Sequence, residues 1–261
     1  MSAIEGVGHT HGAAGRGSEV AVVPILMYHN LGRPPRGARL RKLYVRPALF
    51  AAQMLLLKIM GHRGVSMREA MPALRGETDE KLVAITFDDG YEDTLRIGLP
   101  ILQRLGFTAT CYVVSHCVGG ENRWDSEHVG ARKPLMSVDD LRRWAAAGME
   151  VGAHSRTHPS LPCCDDATLQ SEIPGSRRDL EELLQQPVTQ FCYPYGDVDD
   201  RVAHAVKAAG YDAATTTRRA RARCRDDLHR LPRVMVAGHH LPPVLALQVL
   251  TAHEDRRGLR E

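Results

Sequence analysis

Two adjacent carboxylates, Asp88 and Asp89, close the apolar run Leu82-Val83-Ala84-Ile85-Thr86-Phe87 and are followed by Gly90. Side by side at the mouth of a buried element, they repel each other and lose hydration. That fits a cation held by one and a proton-handling or hydrogen-bonding task for the other. An Asp-Asp-Gly turn closing a hairpin is the other reading of the same residues. Further along, His154 and His158 lie four apart, which makes their imidazoles neighbours if the backbone is helical there. Two imidazoles, one carboxylate and a water form an open metal site of the catalytic kind. Ser155, not glutamate, follows His154, so the pattern is not that of the zincin metalloproteases and the base must come from elsewhere. His29 ends a further apolar run, and Tyr193-Pro194-Tyr195-Gly196 ends another.

The elements that must position these groups alternate. Val20 to Asn30, Leu82 to Phe87, Thr108 to Val114, Met149 to Ala153, Val188 to Tyr193, Tyr211 to Thr217 and Leu231 to Val236 read as strands. Between them, Pro47 to Met60, Met67 to Leu74, Asp93 to Gly106, Ser137 to Gly148, Ala167 to Gln185 and Asp200 to Gly210 read as helices. Pro47 is placed to start the first, Ser137 with Asp140 comes close to a capping box, and Pro174-Gly175 is expected to kink or split the fifth. About seven strands separated by helices imply an α/β fold, a distorted (β/α)7-type barrel in a single domain. In such a barrel the loops after the strands gather at one face. Groups more than a hundred residues apart can then share a site.

At 261 residues, with 43% hydrophobic and 25% charged residues, the chain is long enough for one large core and short for two ordinary domains. A formal charge of +3 and 5% aromatic residues argue against a nucleic-acid partner. The six cysteines show no Cys-x-x-Cys pair and read as reduced, packed thiols; Cys163-Cys164 is only a minor metal-ligand candidate. Residues 1–19 lack the charged and apolar regions of a secretory signal, and no apolar run is long enough to span a bilayer. The expectation is a cytoplasmic protein with a disordered tail over 1–19, a catalytic domain over 20–250 and a polar tail over 251–261. Arg33 to Arg46 reads as a basic, solvated loop.

Thr86-Phe87-Asp88-Asp89-Gly90, His154-Ser155-Arg156-Thr157-His158 and Tyr193-Pro194-Tyr195-Gly196 together resemble, in order, the first three signature motifs of the polysaccharide deacetylases of carbohydrate esterase family 4. The resemblance covers about Val22 to Val236. It implies that Asp89, His154 and His158 bind one divalent metal ion, usually zinc, and that Asp88 is the general base. It also implies that the metal and the backbone N–H of Tyr195 hold the oxyanion. Usual members carry the general-acid histidine after an apolar strand near the C-terminus. Here His239 and His240 follow Ala237-Gly238 without such a strand, whereas Ile25-Leu26-Met27-Tyr28-His29 has it. This is similar to the rearranged motif order of the poly-N-acetylglucosamine deacetylases and assigns the acid to His29.

Cys192 stands where the family's third motif usually has the arginine that contacts the base, and Arg233 in Leu231-Pro232-Arg233-Val234 is the candidate replacement. The fourth motif, an aspartate and tryptophan pair, has no counterpart; Trp124-Asp125 reads as a substrate-facing loop and Trp144 as helix core. Arg218 to Arg225, with five arginines, reads as a solvated loop or as a patch for an anionic sugar conjugate. The resemblance thus implies a metal-dependent hydrolase removing N-acetyl groups from an amino sugar, a glycan or a sugar-phosphate-linked substrate. Alternatives are cleavage of another amide or an O-acetyl ester on the same fold, or a non-catalytic carbohydrate-binding or regulatory protein.

Overall fold

The computed structural model describes residues 21–124 and 131–259. The expected tail over 1–19, Asp125 and the last two residues lie outside the described residues.

Seven parallel strands close into a barrel in chain order: β1 (Ile25–Tyr28), β2 (Leu82–Phe87), β3 (Thr110–Val113), β4 (Glu150–Ala153), β5 (Gln190–Cys192), β6 (Ala213–Arg219) and β7 (Leu231–Met235). Closure runs through Val234 of β7 beside Leu26 of β1, and Ile25 of β1 beside Ala84 of β2. A short strand, Arg63–Val65, pairs with the first half of β2. All six residues of β2 are buried, as a strand covered on both faces requires.

Alternation along the strands divides the core. Leu26, Val83, Ile85 and Phe87 pack outward against helices such as Pro47–Ile59, where Tyr28, Phe50 and Phe87 form an aromatic cluster. Ile25, Ala84, Tyr112, Cys192 and Leu231 point into the barrel. The helix Met67–Leu74 plugs its lower end, with the Met67 and Arg68 amides donating to Thr110 Oγ1 (2.8 Å) and Glu150 Oε2 (2.9 Å). The polar chemistry is therefore left to the opposite end, where the strands' C-termini open.

The helix Asp166–Leu184 continues through Pro174 without splitting. The segment after Tyr91 begins with a π turn, Thr94–Gly98, before the helix Leu99–Leu105 and its left-handed Gly106 cap. Arg33–Arg46 is not simply a solvated loop. Its Tyr44–Val45 portion pairs in parallel with Asn30–Leu31, and Tyr44 and Val45 are buried. The polar C-terminal stretch carries the helix His253–Gly258. Its Glu254 accepts from Arg219 (2.8 Å), and its Asp255 accepts from Arg221 (2.9 Å) and Arg223 (2.8 Å). Three of the five arginines in Arg218–Arg225 thus hold the last helix to the barrel, so the stretch is not simply a solvated loop, while Arg218 and Arg225 are exposed. Among the described residues, no helix is long and apolar enough to cross a membrane.

Candidate active site

The strand ends deliver the predicted groups to one place. His29 follows β1, Asp88 and Asp89 follow β2, His154 follows β4, and Tyr193 to Gly196 follows β5. Together they line a cavity of about 450 Å³. Asp89 turns back into it through a left-handed backbone, φ 74°. Its Oδ1 lies 3.6 Å from His154 Nε2 and 3.6 Å from His158 Nε2.

The two imidazoles meet through a turn, not a helix. Ser155 and His158 both have left-handed φ, 62° and 65°, and the His158 amide donates to Ser155 Oγ at 3.0 Å. The helix Asp166–Leu184 fixes this turn from outside. Glu172 accepts from the amides of Arg156 (2.8 Å) and Thr157 (2.9 Å), and Asp179 takes the Arg156 guanidinium in two bonds of 2.8 and 2.9 Å. The strained backbone at Ser155 and His158 is held by surroundings that over-determine it, a pattern that clusters at functional sites.

The donor set fits a metal. His154 Nδ1 lies 2.7 Å from the Cys192 carbonyl, which can only accept, so Nδ1 carries the proton and Nε2 presents its lone pair. Burial and the neighbouring His154 push the His158 imidazole well below its ordinary value, which keeps it neutral, the form that ligates. One oxygen of Asp89 and one nitrogen of each histidine lie within 4.8 Å of one another. Ligands of tetrahedral zinc at about 2.0–2.1 Å stand about 3.4 Å apart, close to the separations from Asp89. A second cluster, Asp88, His154 and Cys192, is equally compact but chemically poor. Burial pushes the Cys192 thiol up, so it stays protonated, and Asp88 is already engaged.

That engagement is Arg233. Fully buried, it crosses the barrel from β7 and grips Asp88 with both ends of its fork, Nη1 to Oδ1 at 2.7 Å and Nη2 to Oδ2 at 2.8 Å. Its Nε donates to the Thr216 carbonyl (2.8 Å), Nη1 also reaches Thr86 Oγ1 (3.1 Å), and Nη2 passes Cys192 Sγ at 3.2 Å. The small thiol at Cys192 leaves the space this guanidinium fills. Burial alone would raise the Asp88 carboxyl. Arg233, with His29 and His154, more than reverses this and holds it well below the usual carboxylate range. His29 Nε2 sits 3.7 Å from Asp88 Oδ2 at the cavity wall.

Tyr195 is held at φ 60°, and its ring meets His158 edge-on with centroids 4.6 Å apart. Gly196 follows at φ 80°, where a Cβ would fall 2.1 Å from Thr217 Oγ1, so only glycine lets this turn seat against β6. Trp124 stacks on His158, centroids 4.8 Å apart and 22° between planes, and lines the cavity. Trp144 is core and donates to the Glu150 carbonyl at 2.8 Å. His239 and His240 lie away from this cavity, and His240 Nδ1 accepts from the Ala237 amide at 3.2 Å. Cys163 and Cys164 belong to neither ligand cluster.

Sequence reasoning missed a second tier. Lys133 donates to Asn30 Oδ1 at 2.7 Å and pairs with Asp93, whose other oxygen accepts from the Leu31 amide at 3.1 Å. This knot ties the residue after His29 to the segments after β2 and before the Val138–Ala146 helix. The only signal was Asp93 near Asp88-Asp89, and its cation lies 40 residues away.

Against known proteins, the family described as polysaccharide deacetylase matches residues 75–214. YxkH of Bacillus subtilis strain 168 is 28% identical over 219 residues, which are 83% of this chain and 72% of that protein. The poly-β-1,6-N-acetyl-D-glucosamine N-deacetylase of Escherichia coli K12 is 25% identical over 262 residues; the match covers 88% of this chain and spans 38% of that enzyme's length. Among solved structures, the polysaccharide deacetylase BC0361 of Bacillus cereus superposes with a TM-score of 0.74 at 27% identity, covering 87% of this chain and 69% of that one. With the closed seven-strand barrel and the three motifs at its strand ends, the chain belongs to the polysaccharide deacetylase family.

Proposed function

We propose that this protein is a metal-dependent hydrolase that removes the acetyl group from the nitrogen of an amino sugar in an N-acetylated glycan or glycoconjugate. The observation that carries the reading is the cluster of Asp89, His154 and His158 beside an Asp88 that Arg233 holds ionised. Asp89, His154 and His158 would hold a divalent cation, zinc by its nitrogen-rich donor set, which supplies a Lewis acid to acidify water and polarise the acyl carbonyl.

The chain's own groups do the rest. Asp88, oriented by the Arg233 fork, takes the proton from the attacking water as the new C–O bond forms. The pairing that keeps Asp88 ionised also makes it a weak base, so the proton passes on to His29 Nε2, 3.7 Å from Asp88 Oδ2, and is the one His29 later gives to the amine. The backbone N–H of Tyr195 donates to the oxyanion. The C–N bond breaks as His29 Nε2 protonates the departing amine, leaving acetate and a free amino sugar. Arg233 is a positioning residue, since it touches the base and not the substrate.

An acid facing the base favours an amide over an O-acetyl ester, because an amine leaves poorly without a proton. An intact, positioned base is also more than a binding protein needs. The relative named as an N-acetylglucosamine polymer deacetylase supports the same class of substrate. The test is acetate release from β-1,4- and β-1,6-linked N-acetylglucosamine oligosaccharides, before and after removing metal with a chelator and restoring zinc. The reading requires loss on chelation and recovery with metal. Undiminished activity in metal-free protein, or no acetate from any N-acetylated glycan, overturns it.

A further inference from the structure

The residues from Arg33 to Arg46 include Arg33, Arg36, Arg39, Arg41, Lys42 and Arg46, and no acid. All six cations are exposed. Arg33, Arg36, Arg41, Lys42 and Arg46 have no carboxylate partner among the described residues. The contrast is with Arg219, Arg221 and Arg223, which the last helix takes up. The five like charges at Arg33, Arg36, Arg41, Lys42 and Arg46 repel one another where they come close, and a bound anion would relieve that repulsion.

The backbone is fixed, and it is fixed at the mouth of the active site. Tyr44–Val45 pairs with Asn30–Leu31, immediately after His29, and the Gly32 amide donates to the Val45 carbonyl at 2.8 Å. The Gly238 amide donates to the Lys42 carbonyl at 2.8 Å. The approach there is so close that a Cβ at Gly238 would fall 2.0 Å from the Tyr44 carbonyl oxygen. Leu40 and Leu43 of the same segment form part of the wall of the reaction cavity. Arg39, Arg41 and Lys42 are the chain neighbours of these two wall residues, so their Cα atoms lie about 3.8 Å from those of the wall. The same segment borders a second hollow of about 270 Å³, lined by Arg41, Lys42, Arg46 and His239 among others, with no acidic residue in its lining.

We propose that this hollow and its rim are a subsite for an anionic substituent of the glycan, a phosphate or a carboxylate on a unit next to the sugar that is deacetylated. The proposal rests on the reading of the main cavity as a deacetylase site. Guanidinium groups take phosphate and carboxylate oxygens in paired, charge-assisted hydrogen bonds, which a neutral sugar cannot offer.

The test compares three matched N-acetylglucosamine oligosaccharides, one neutral, one with a phosphate monoester and one with a uronate neighbour. Each is measured for kcat/KM and for direct binding by titration calorimetry. The native protein should prefer at least one anionic probe by roughly fivefold or more, a preference that shrinks between about 0.05 and about 0.5 M salt. Which of the two is preferred identifies the anion. In the variant Arg41→Gln/Lys42→Gln/Arg46→Gln, checked for an unchanged melting temperature, the ratio of anionic to neutral probe should fall to about twofold or less. Equal kcat/KM and equal binding of all three probes by the native protein overturn the subsite, as does a preference that survives in the variant. Sedimentation with phosphatidylglycerol vesicles, without discrimination among the glycans, assigns the cations to a membrane surface and also overturns it. Tighter binding of an anionic probe without acetate release from any probe keeps the subsite and sinks the deacetylase reading.

Discussion

Replacing Arg233 with methionine removes the fork from Asp88 while roughly keeping volume. The side chains of the pair are 0% and 4% exposed, so the carboxylate left behind has no water to replace its partner. Breaking a buried pair from one side costs about 3–5 kcal/mol. At about 2–4 °C per kcal/mol for a chain near this size, the melting temperature should fall by about 6–20 °C. The sign with pH follows from the shift. Because the Asp88 carboxyl is held below its ordinary value, the pair stabilises the native fold above about pH 4 and loses that contribution as pH falls through the lowered value. In Arg233→Met only burial remains as the dominant cause, and it acts upward, so the acid limb of the pH–rate profile should move to higher pH. Acetate release should fall by roughly a hundredfold at neutral pH. The exchange Arg233→Cys with Cys192→Arg restores a guanidinium beside Asp88 from the neighbouring side of the barrel, and should recover part of both losses. Thermal unfolding and a pH–rate series on the single and double variants read these effects. Stability within about 0.5 kcal/mol of native and a rate within about twofold for Arg233→Met would refute the reasoning.

Three further outcomes are expected. His29→Ala should keep its metal and its melting temperature while kcat for N-acetylated substrate falls by about 10²–10⁴-fold, read by acetate release and metal analysis; unchanged turnover removes the acid role from His29. Gly196→Ala should cost roughly 2–3 kcal/mol in chemical denaturation, because a Cβ at φ 80° would strike Thr217 Oγ1 2.1 Å away. Asp255 is raised by burial but lowered further by Arg221 and Arg223, to about 2. Its contribution is present at neutral pH and lost as pH falls from about 4 towards that value. Asp255→Asn should therefore cost about 1 kcal/mol at pH 7, a difference that fades in acid in parallel denaturation curves.

What could be read from the sequence was what local pattern encodes. The six-residue apolar run ending in Asp88-Asp89 announced a strand covered on both faces, and the same pattern at the other strand ends placed His29, His154 and Tyr195 on one rim. Arg233 was legible as a replacement only through the family resemblance, in which Cys192 stands where an arginine usually contacts the base; the structure pairs it with Asp88. Distant pairings were not legible. Glu254 and Asp255 neutralise arginines more than thirty residues earlier, and Lys133 reaches Asn30 across 103 residues. The spacing of His154 and His158 mimics one helical turn, yet Ser155 and His158 adopt left-handed backbones in a turn held by the Ser155 hydroxyl and by Glu172 and Asp179 of a later helix. The basic segment Arg33–Arg46 looked like solvent-facing loop because its charges hide Leu40, Leu43 and Tyr44, the residues that bind it to the cavity and the core.

The division of labour between the two adjacent carboxylates is the centre of this account, and Asp88→Asn tests it most directly. The variant keeps the size of the side chain and leaves Asp89, His154 and His158 untouched. With bound metal measured by mass spectrometry and acetate release measured on an N-acetylglucosamine oligosaccharide, the account predicts about one metal ion per chain and a rate at least about a hundredfold below native. Full activity in the variant, or loss of its metal together with its activity, would contradict the assignment of Asp88 as base and Asp89 as ligand.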